Sequence, residues 1–156
     1  MATINATLSV TSDISDYGLA INNTMTMKKA GLPAGLELTT GLAKKAFTNT
    51  NQVDLLTAGA GIAADVTASK AAKVYIKNVG TDPTVYFTIG FGNASTGTTA
   101  TVNDNDATFF ELGRLYGQDW MIIPWIATST TGDICIQPSA ARASDPVHVE
   151  YMVFFE

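Results

Sequence analysis

The sequence predicts an all-β protein, an antiparallel β-sandwich of jelly-roll-like arrangement with about eight to ten short strands. Three observations predict it. Apolar residues recur at every second position through most of the chain, as they do in half-buried strands. Short groups rich in glycine, proline, aspartate and asparagine separate these segments, and the three-to-four spacing of amphipathic helices is nearly absent. The 156 residues fit one domain, 1–156.

The alternation is clearest in two neighbouring segments in the middle of the chain. In residues 72–78, Val74 and Ile76 fall on one face while lysine and tyrosine side chains fall on the other. In residues 84–91 the odd positions are apolar and the even positions are mostly threonine and tyrosine. The intervening residues 80–83, Gly-Thr-Asp-Pro, have turn chemistry. We therefore predict that these two strands form a β-hairpin.

The C-terminal segments follow the same pattern. Apolar residues occupy the odd positions of 147–155, and in residues 133–137 the pattern points Ile134 and Ile136 inward and Cys135 outward. The segment from Trp120 to Trp125 is apolar on both faces, which predicts a strand that is either central in the core or covered by a partner. Pro124 lacks an amide hydrogen, so the end of that strand is expected at an edge or a bulge.

The first 28 residues are a weaker version of the design. Two runs alternate apolar residues with serine and threonine or with alanine, asparagine and threonine, and a turn-rich segment, 12–18, separates them. Weak apolar faces specify strand register poorly and suit addition to a partner's sheet. Residues 1–28 are therefore a candidate N-terminal strand arm contacting a neighbouring subunit.

Composition and charge exclude several classes of partner. The net charge is −5 and the nine basic residues are scattered, which argues against nucleic acid. No apolar run approaches the roughly 18 residues needed to cross a membrane, and the start lacks the pattern of a secretory signal, so we expect folding in a cytoplasm. Only 15% of residues are charged, below the roughly 25% typical of soluble domains. Such an uncharged, threonine-rich surface favours burial against neighbouring subunits.

The sequence predicts no catalytic, cofactor-binding or metal site. His148 is the only histidine and Cys135 the only cysteine, and nothing places either beside a nucleophile, a base or further ligands. Residues 103–106, Asn-Asp-Asn-Asp, gather oxygen donors but lack the glycine and spacing of a calcium loop. The aromatic residues are compatible with a sugar-stacking surface, although an interface or core role is favoured.

The second half of the chain carries an ordered series of segments: Lys77-Asn78 before a Gly-Thr-Asp-Pro turn, Ile89-Gly90, Phe110-Glu111-Leu112, Trp120 to Trp125, Ile134 to Gln137, and Val149-Glu150-Tyr151. This order resembles that of small β-sandwich virion structural proteins of tailed bacteriophages, of the capsid decoration or cement type. The Ser/Thr-rich opening from Leu8 to Thr26 is similar to theirs as well. The resemblance implies that the protein decorates or cements a capsid, or attaches to a tail, through its surfaces.

We therefore expect a non-enzymatic phage capsid decoration protein that stabilises the head by bridging capsid subunits. The alternatives are a phage tail or neck component, such as an adaptor, sleeve or fibre-base protein, and a carbohydrate-binding β-sandwich module. The expected partners are the major capsid protein or other virion proteins and further copies of the chain, as a trimer or dimer, in a virion assembled in the host bacterial cytoplasm. The interface candidates are Leu8, Val10, Ile21, Met25, Tyr75, Tyr86, Trp120, Trp125 and Phe154.

Overall fold

The structure, a computed structural model, describes residues 3–12, 19–29, 35–58, 72–92, 110–125 and 132–156. The predicted oxygen-rich segment 103–106 lies outside these residues. The described part of the chain forms eleven strands and no helix: β1 (Asn5–Ser12), β2 (Leu19–Thr26), β3 (Leu38–Thr39), β4 (Ala43–Phe47), β5 (Val53–Leu56), β6 (Ala72–Asn78), β7 (Phe87–Gly92), β8 (Phe110–Leu115), β9 (Trp120–Trp125), β10 (Asp133–Pro138) and β11 (Val147–Phe155). The predicted all-β class is confirmed.

The strands from β4 onward are wound as a jelly roll. The pairs β4·β11, β5·β10, β6·β9 and β7·β8 are all antiparallel, so the first strand pairs with the last, the second with the next to last, and so on inward. Further pairings, β11 with β6 and β10 with β7, join them into two sheets. One sheet has the order β3-β11-β6-β9, with β4 beside β3 on β11, and the other has the order β5-β10-β7-β8. This confirms the predicted antiparallel sandwich.

The core lies between these two sheets, where alternate residues of each strand meet. Its fully buried aliphatic and aromatic side chains are Val74, Ile76, Val149 and Val153 from one sheet and Phe87, Ile89, Ile134 and Ile136 from the other. Phe47 and Phe87 pack edge to face across the core, with ring centroids 5.2 Å apart. The predicted inward faces of these strands are therefore correct.

The predicted hairpin between residues 72–78 and 84–91 is wrong. β6 pairs with β11 and β9, whereas β7 belongs to the other sheet. The turn at residues 80–83 carries the chain from one sheet to the other. Asn78 fixes this corner from the interior: its amide nitrogen donates to the carbonyls of Leu115 and Val85, at 3.1 and 3.4 Å, and its side-chain oxygen accepts from the amide of Gly80 at 2.9 Å.

Cys135 lies on the outer face of its strand, as the pattern predicted, but it is buried. It does point away from Ile134 and Ile136, but the outer side of the four-stranded sheet is covered at this point, and Asp133 beside it is buried too. The Cys135 thiol donates to a carboxylate oxygen of Asp54 on the adjacent strand, at 3.2 Å. The alternation showed that Cys135 lies on the outer face of the sheet, but it could not show whether other parts of the protein cover that face.

The prediction for Pro124 is confirmed, because β9 pairs only with β6 among the described strands and forms an edge of the five-stranded sheet. Its inner face contributes Met121, Ile123 and the buried Trp125 to the core. Its outer face carries Trp120 and Ile122, which explains why the segment is apolar on both sides.

Candidate assembly surface

β1 and β2 form a two-stranded hairpin, called the ribbon below, that pairs with neither sheet of the sandwich. Its register is regular from Asn5 opposite Thr26 to Ser12 opposite Leu19. A two-stranded hairpin is marginally stable alone, so its position depends on what it contacts.

The ribbon has one apolar and one polar face. Residues that share a face lie opposite each other, and the apolar face carries Ala6, Leu8 and Val10 of β1 opposite Met25, Asn23 and Ile21 of β2. The polar face is tied by side-chain hydrogen bonds: the hydroxyls of Thr7 and Thr24 are 3.0 Å apart, and the Thr26 hydroxyl donates to Asn5 at 2.8 Å. Neither strand contains a charged residue.

The base of the ribbon is anchored through buried residues that follow β2. Met27 and Leu36 are 1% and 0% exposed. The Met27 amide donates to the carbonyl of Ile4 at 2.9 Å, and the Leu36 amide donates to the carbonyl of Met27 at 2.6 Å. An ion pair between Lys29 and Glu37, at 3.2 Å, closes the same segment. The ribbon therefore leaves the sandwich from a fixed point.

A groove of about 460 Å³ lies where the lower part of the ribbon faces the outer side of the five-stranded sheet. Its apolar lining comes from Ile4, Ala6, Leu8, Met25 and Met27 on one side and from Trp120, Ile122 and Phe154 on the other. Tyr75 borders it on the sheet, with its ring centroid 6.4 Å from that of Trp120. Burial, and secondarily the charge of Glu150, raises the pKa of the Tyr75 hydroxyl.

The apolar face of the ribbon is only partly covered by this packing. Leu8, Met25 and Ile21 are 45%, 47% and 44% exposed, and Val10, toward the tip, is 37% exposed. Trp120, across the groove, is 48% exposed. Contiguous apolar surface of this kind, on an uncharged element, is typical of an interaction site.

Of the nine interface candidates, the structure places seven on or beside this surface: Leu8, Val10, Ile21, Met25, Tyr75, Trp120 and Phe154. Ile4, Met27 and Ile122, which also line the groove, were missed. The alternation could have identified them, because Ile4 and Met27 continue the apolar positions of β1 and β2 and Ile122 shares the parity of Trp120 on β9.

The remaining two candidates lie elsewhere. Trp125 was predicted as an interface residue, but it is 4% exposed within the core, and its indole N–H donates to the carbonyl of Gly132 at 2.6 Å. That assignment is corrected, because the parity of β9 turns Trp125 inward. Tyr86 packs against Tyr116, with centroids 5.2 Å apart, and beneath the guanidinium of Arg114. It belongs to a separate aromatic cluster beside the four-stranded sheet.

In the described part of the chain, the side chains capable of nucleophilic or acid–base chemistry are far apart or held in unreactive states. Burial, with a smaller contribution from Asp54, raises the pKa of the Cys135 thiol to about 12, which keeps it protonated and unreactive. A cavity of about 220 Å³ is lined by the charged side chains of Lys44, Asp82, Arg142 and Asp145 and by His148. Arg142 and Asp82 form an ion pair there. Hydrogen bonds from Thr84, and then Arg142, lower the pKa of Asp82.

Among the described residues, no three histidine, cysteine, aspartate or glutamate side chains are grouped so as to hold a metal ion. The described residues also contain no helix capable of crossing a membrane. Comparison with known protein-family models finds no match, and comparison with curated proteins finds none either.

Proposed function

We propose that this chain is a non-enzymatic structural protein of a virion, a phage capsid decoration protein that bridges neighbouring subunits through the ribbon and the groove at its base. The observation that carries the proposal is the exposed, uncharged apolar face of the ribbon, held at a fixed point on a sandwich that completes its own core. Contiguous exposed apolar surface marks an interaction site, and an assembly subunit requires one.

The energetics suit a subunit that is held by many copies of a weak contact. Full burial of a large aliphatic side chain contributes about 1.5–3 kcal/mol, so covering four half-exposed ones contributes several kcal/mol per ribbon. A symmetric shell repeats that contact at every equivalent position. The absence of charge on β1 and β2 means that no ion pair has to be desolvated when the ribbon is covered.

The virion setting is supported by the resemblance of the segment order to small phage β-sandwich proteins and by the low charged fraction of 15%. The net charge of −5 disfavours contact with packaged nucleic acid and favours an outer surface. A tail or neck position uses the same ribbon and surface, so copy number per particle distinguishes the two.

The first test is quantitative mass spectrometry of particles from the source culture, fractionated on a density gradient. A decoration protein is expected at hundreds of copies per DNA-filled head. A few to a few dozen copies assign the protein to the tail or neck. Its absence from all particles refutes the virion proposal and directs the search to glycan binding.

The second test compares two substitutions on adjacent residues of one strand. Val10→Asp places a charge on the apolar face, and Ser9→Asp places the same charge on the polar face. We expect Val10→Asp to weaken binding to particles that lack the protein by at least about tenfold, the equivalent of 1.4 kcal/mol, while Ser9→Asp changes it less than about twofold. Equal effects of the two substitutions, measured by co-sedimentation, contradict a role for the apolar face.

A further inference from the structure

We propose, resting on the assembly role above, that the ribbon's partner is the ribbon of a second copy of this chain. In this pairing β1 lies antiparallel to β1 of the second copy, about a two-fold axis that passes midway between the two Leu8 residues. The result is a four-stranded sheet shared by two molecules.

The free edge of β1 is the accessible one. β1 pairs with β2 and with no other described strand. The opposite edge, that of β2, is obstructed at its base, where Gly35 bridges to Lys28 and the Leu36 amide bonds to Met27. An incoming strand can therefore lie along β1 without meeting this segment, whereas one on β2 meets it just beyond Thr26.

The backbone of β1 presents a regular row of hydrogen-bonding groups at that edge. The Met27 amide donates to Ile4, so the hydrogen-bonded pairs of the ribbon fall on even-numbered residues of β1. The N–H and C=O groups of Asn5, Thr7, Ser9 and Thr11 then point away from β2. These four residues offer eight backbone groups to a partner strand.

This edge lacks the features that protect the edge strands β4, β8 and β9 of the sandwich. Proteins protect edge strands with lysine, proline, charged residues or bulges. β9 carries Pro124, β4 carries Lys44 and Lys45, and β8 has a register shift opposite Ile89 and Gly90. β1 contains no lysine, proline or charge, and its pairing with β2 is free of bulges. An edge without these features, in a molecule whose sandwich edges at β4, β8 and β9 have them, indicates an edge that is covered.

The occupant is a second copy because β1 is complementary to itself in one register. Directly opposite residues of antiparallel strands share a face, so the apolar even positions must meet even positions. With Leu8 opposite Leu8 of the second copy, Ala6 faces Val10 and Asn5 faces Thr11, which keeps both faces continuous. The same register makes the four odd residues of each strand meet as hydrogen-bonded pairs. In β2 the corresponding apolar face is interrupted by Asn23.

The contact is expected to be weak in dilute solution. Two strands of this length are about 26 Å long and bury less than about 1,200 Å² when paired, which is the range of transient interfaces. Binding to a common particle raises the effective concentration and makes the pairing persistent. A covalent trap is therefore the appropriate probe.

The test uses cysteine substitutions in the full chain, whose native thiol, Cys135, is buried. Leu8→Cys is expected to form a disulfide-linked dimer within minutes of mild oxidation at about 50 μM. Thr11→Cys is the matched control on the same strand, because in the proposed register the two Thr11 positions lie about 20 Å apart. Mixing Thr11→Cys with Asn5→Cys is expected to yield the mixed dimer, although neither variant dimerises alone.

The outcomes separate this pairing from its alternatives and from the function proposed above. Crosslinking of Asn23→Cys in place of Leu8→Cys assigns the contact to β2 and overturns the proposal. Equal crosslinking at all positions indicates random collision. No crosslinking of either Leu8→Cys or the mixture indicates that β1 strands do not meet. Each of these two results also overturns the proposal. The mixture uses two polar exposed positions, so it remains informative if Leu8→Cys folds poorly. Purified protein is sufficient, so failure here is distinct from failure of particle binding.

Discussion

The ribbon and the sandwich share one sequence pattern and differ in what covers their apolar faces. Val74 and Ile76 of the sandwich are fully buried against the opposite sheet, whereas Leu8 and Ile21 of the ribbon are 45% and 44% exposed. Alternation decides which face of a strand is apolar, but cover for that face must come from a second layer. The sandwich supplies its own second layer. The ribbon has only the groove at its base, so we infer that its remaining cover comes from another molecule.

The largest expected difference between the two regions concerns asparagines. Asn78→Ala removes the amide that satisfies Leu115, Val85 and Gly80 in the interior and is expected to lower the free energy of unfolding by about 2–4 kcal/mol. Asn22→Ala, on the exposed polar face of the ribbon, is expected to change it by less than about 0.5 kcal/mol. Urea denaturation of both variants measures the contrast. Similar losses at the two positions show that the ribbon is as much part of the folding unit as the corner at Asn78.

A smaller effect is expected from pH, and only in the sandwich. Burial raises the pKa of Asp133, an effect opposed by the hydrogen bond that its carboxylate accepts from the amide of Ala58, at 2.6 Å. A carboxyl with a raised pKa holds its proton more tightly when folded, so its contribution to stability is present at acidic pH. That contribution is lost as the pH rises from about 4, the ordinary value, through the folded-state pKa.

Asp133→Asn keeps the acceptor and removes the titration. The stability of Asp133→Asn relative to the natural chain is therefore expected to rise between pH 4 and pH 7. The rise is at most about 1.4 kcal/mol for each tenfold increase in proton affinity that Asp133 gains on folding. Denaturant titrations at both pH values measure the change. Asn22→Asp, which adds a carboxyl at an exposed ribbon position, is the control, and its stability relative to the natural chain is expected to change little between the two pH values. A relative stability that falls over this range contradicts the raised pKa.

Local pattern predicted the strands and their faces but not the partners of each strand. The inward direction of Val74 and Ile134 and the edge position of Pro124 follow from side-chain alternation and from the missing amide of proline. The pairing of β6 with β11 and β9 depends on residues that are distant in sequence, and a turn at 80–83 serves a hairpin and a sheet-to-sheet corner equally well. Trp125 was misassigned because β9 is apolar on both faces, so composition could not show which face the core would bury.

The candidate surface was predictable in part for the same reason. Leu8, Val10, Ile21 and Met25 alternate with polar residues, which identified an apolar face without showing whether the chain itself would cover it. Only the structure shows that β1 and β2 stand apart from both sheets and that Trp120 and Phe154 complete the groove. Exposure depends on the arrangement of whole layers, and a pattern of period two contains no information on that arrangement.

Removing the ribbon altogether is expected to affect stability less than Asn78→Ala does. None of its residues belongs to the core cluster between the sheets, and β1 and β2 pair only with each other among the described strands. Deletion of residues 1–26 keeps the buried Met27 but removes the Ile4 carbonyl to which its amide donates. It is therefore expected to leave cooperative unfolding and to lower the free energy of unfolding by less than about 2 kcal/mol. The same deletion is expected to abolish particle binding. Deletion of residues 1–28 removes Met27 as well and is expected to cost more, because Leu36 then loses the carbonyl to which its amide donates. Circular dichroism during denaturation measures the cooperativity of unfolding. If the 1–26 deletion loses cooperative unfolding, the ribbon is required for folding. The ribbon and the sandwich would then differ only in the exposure of their apolar faces.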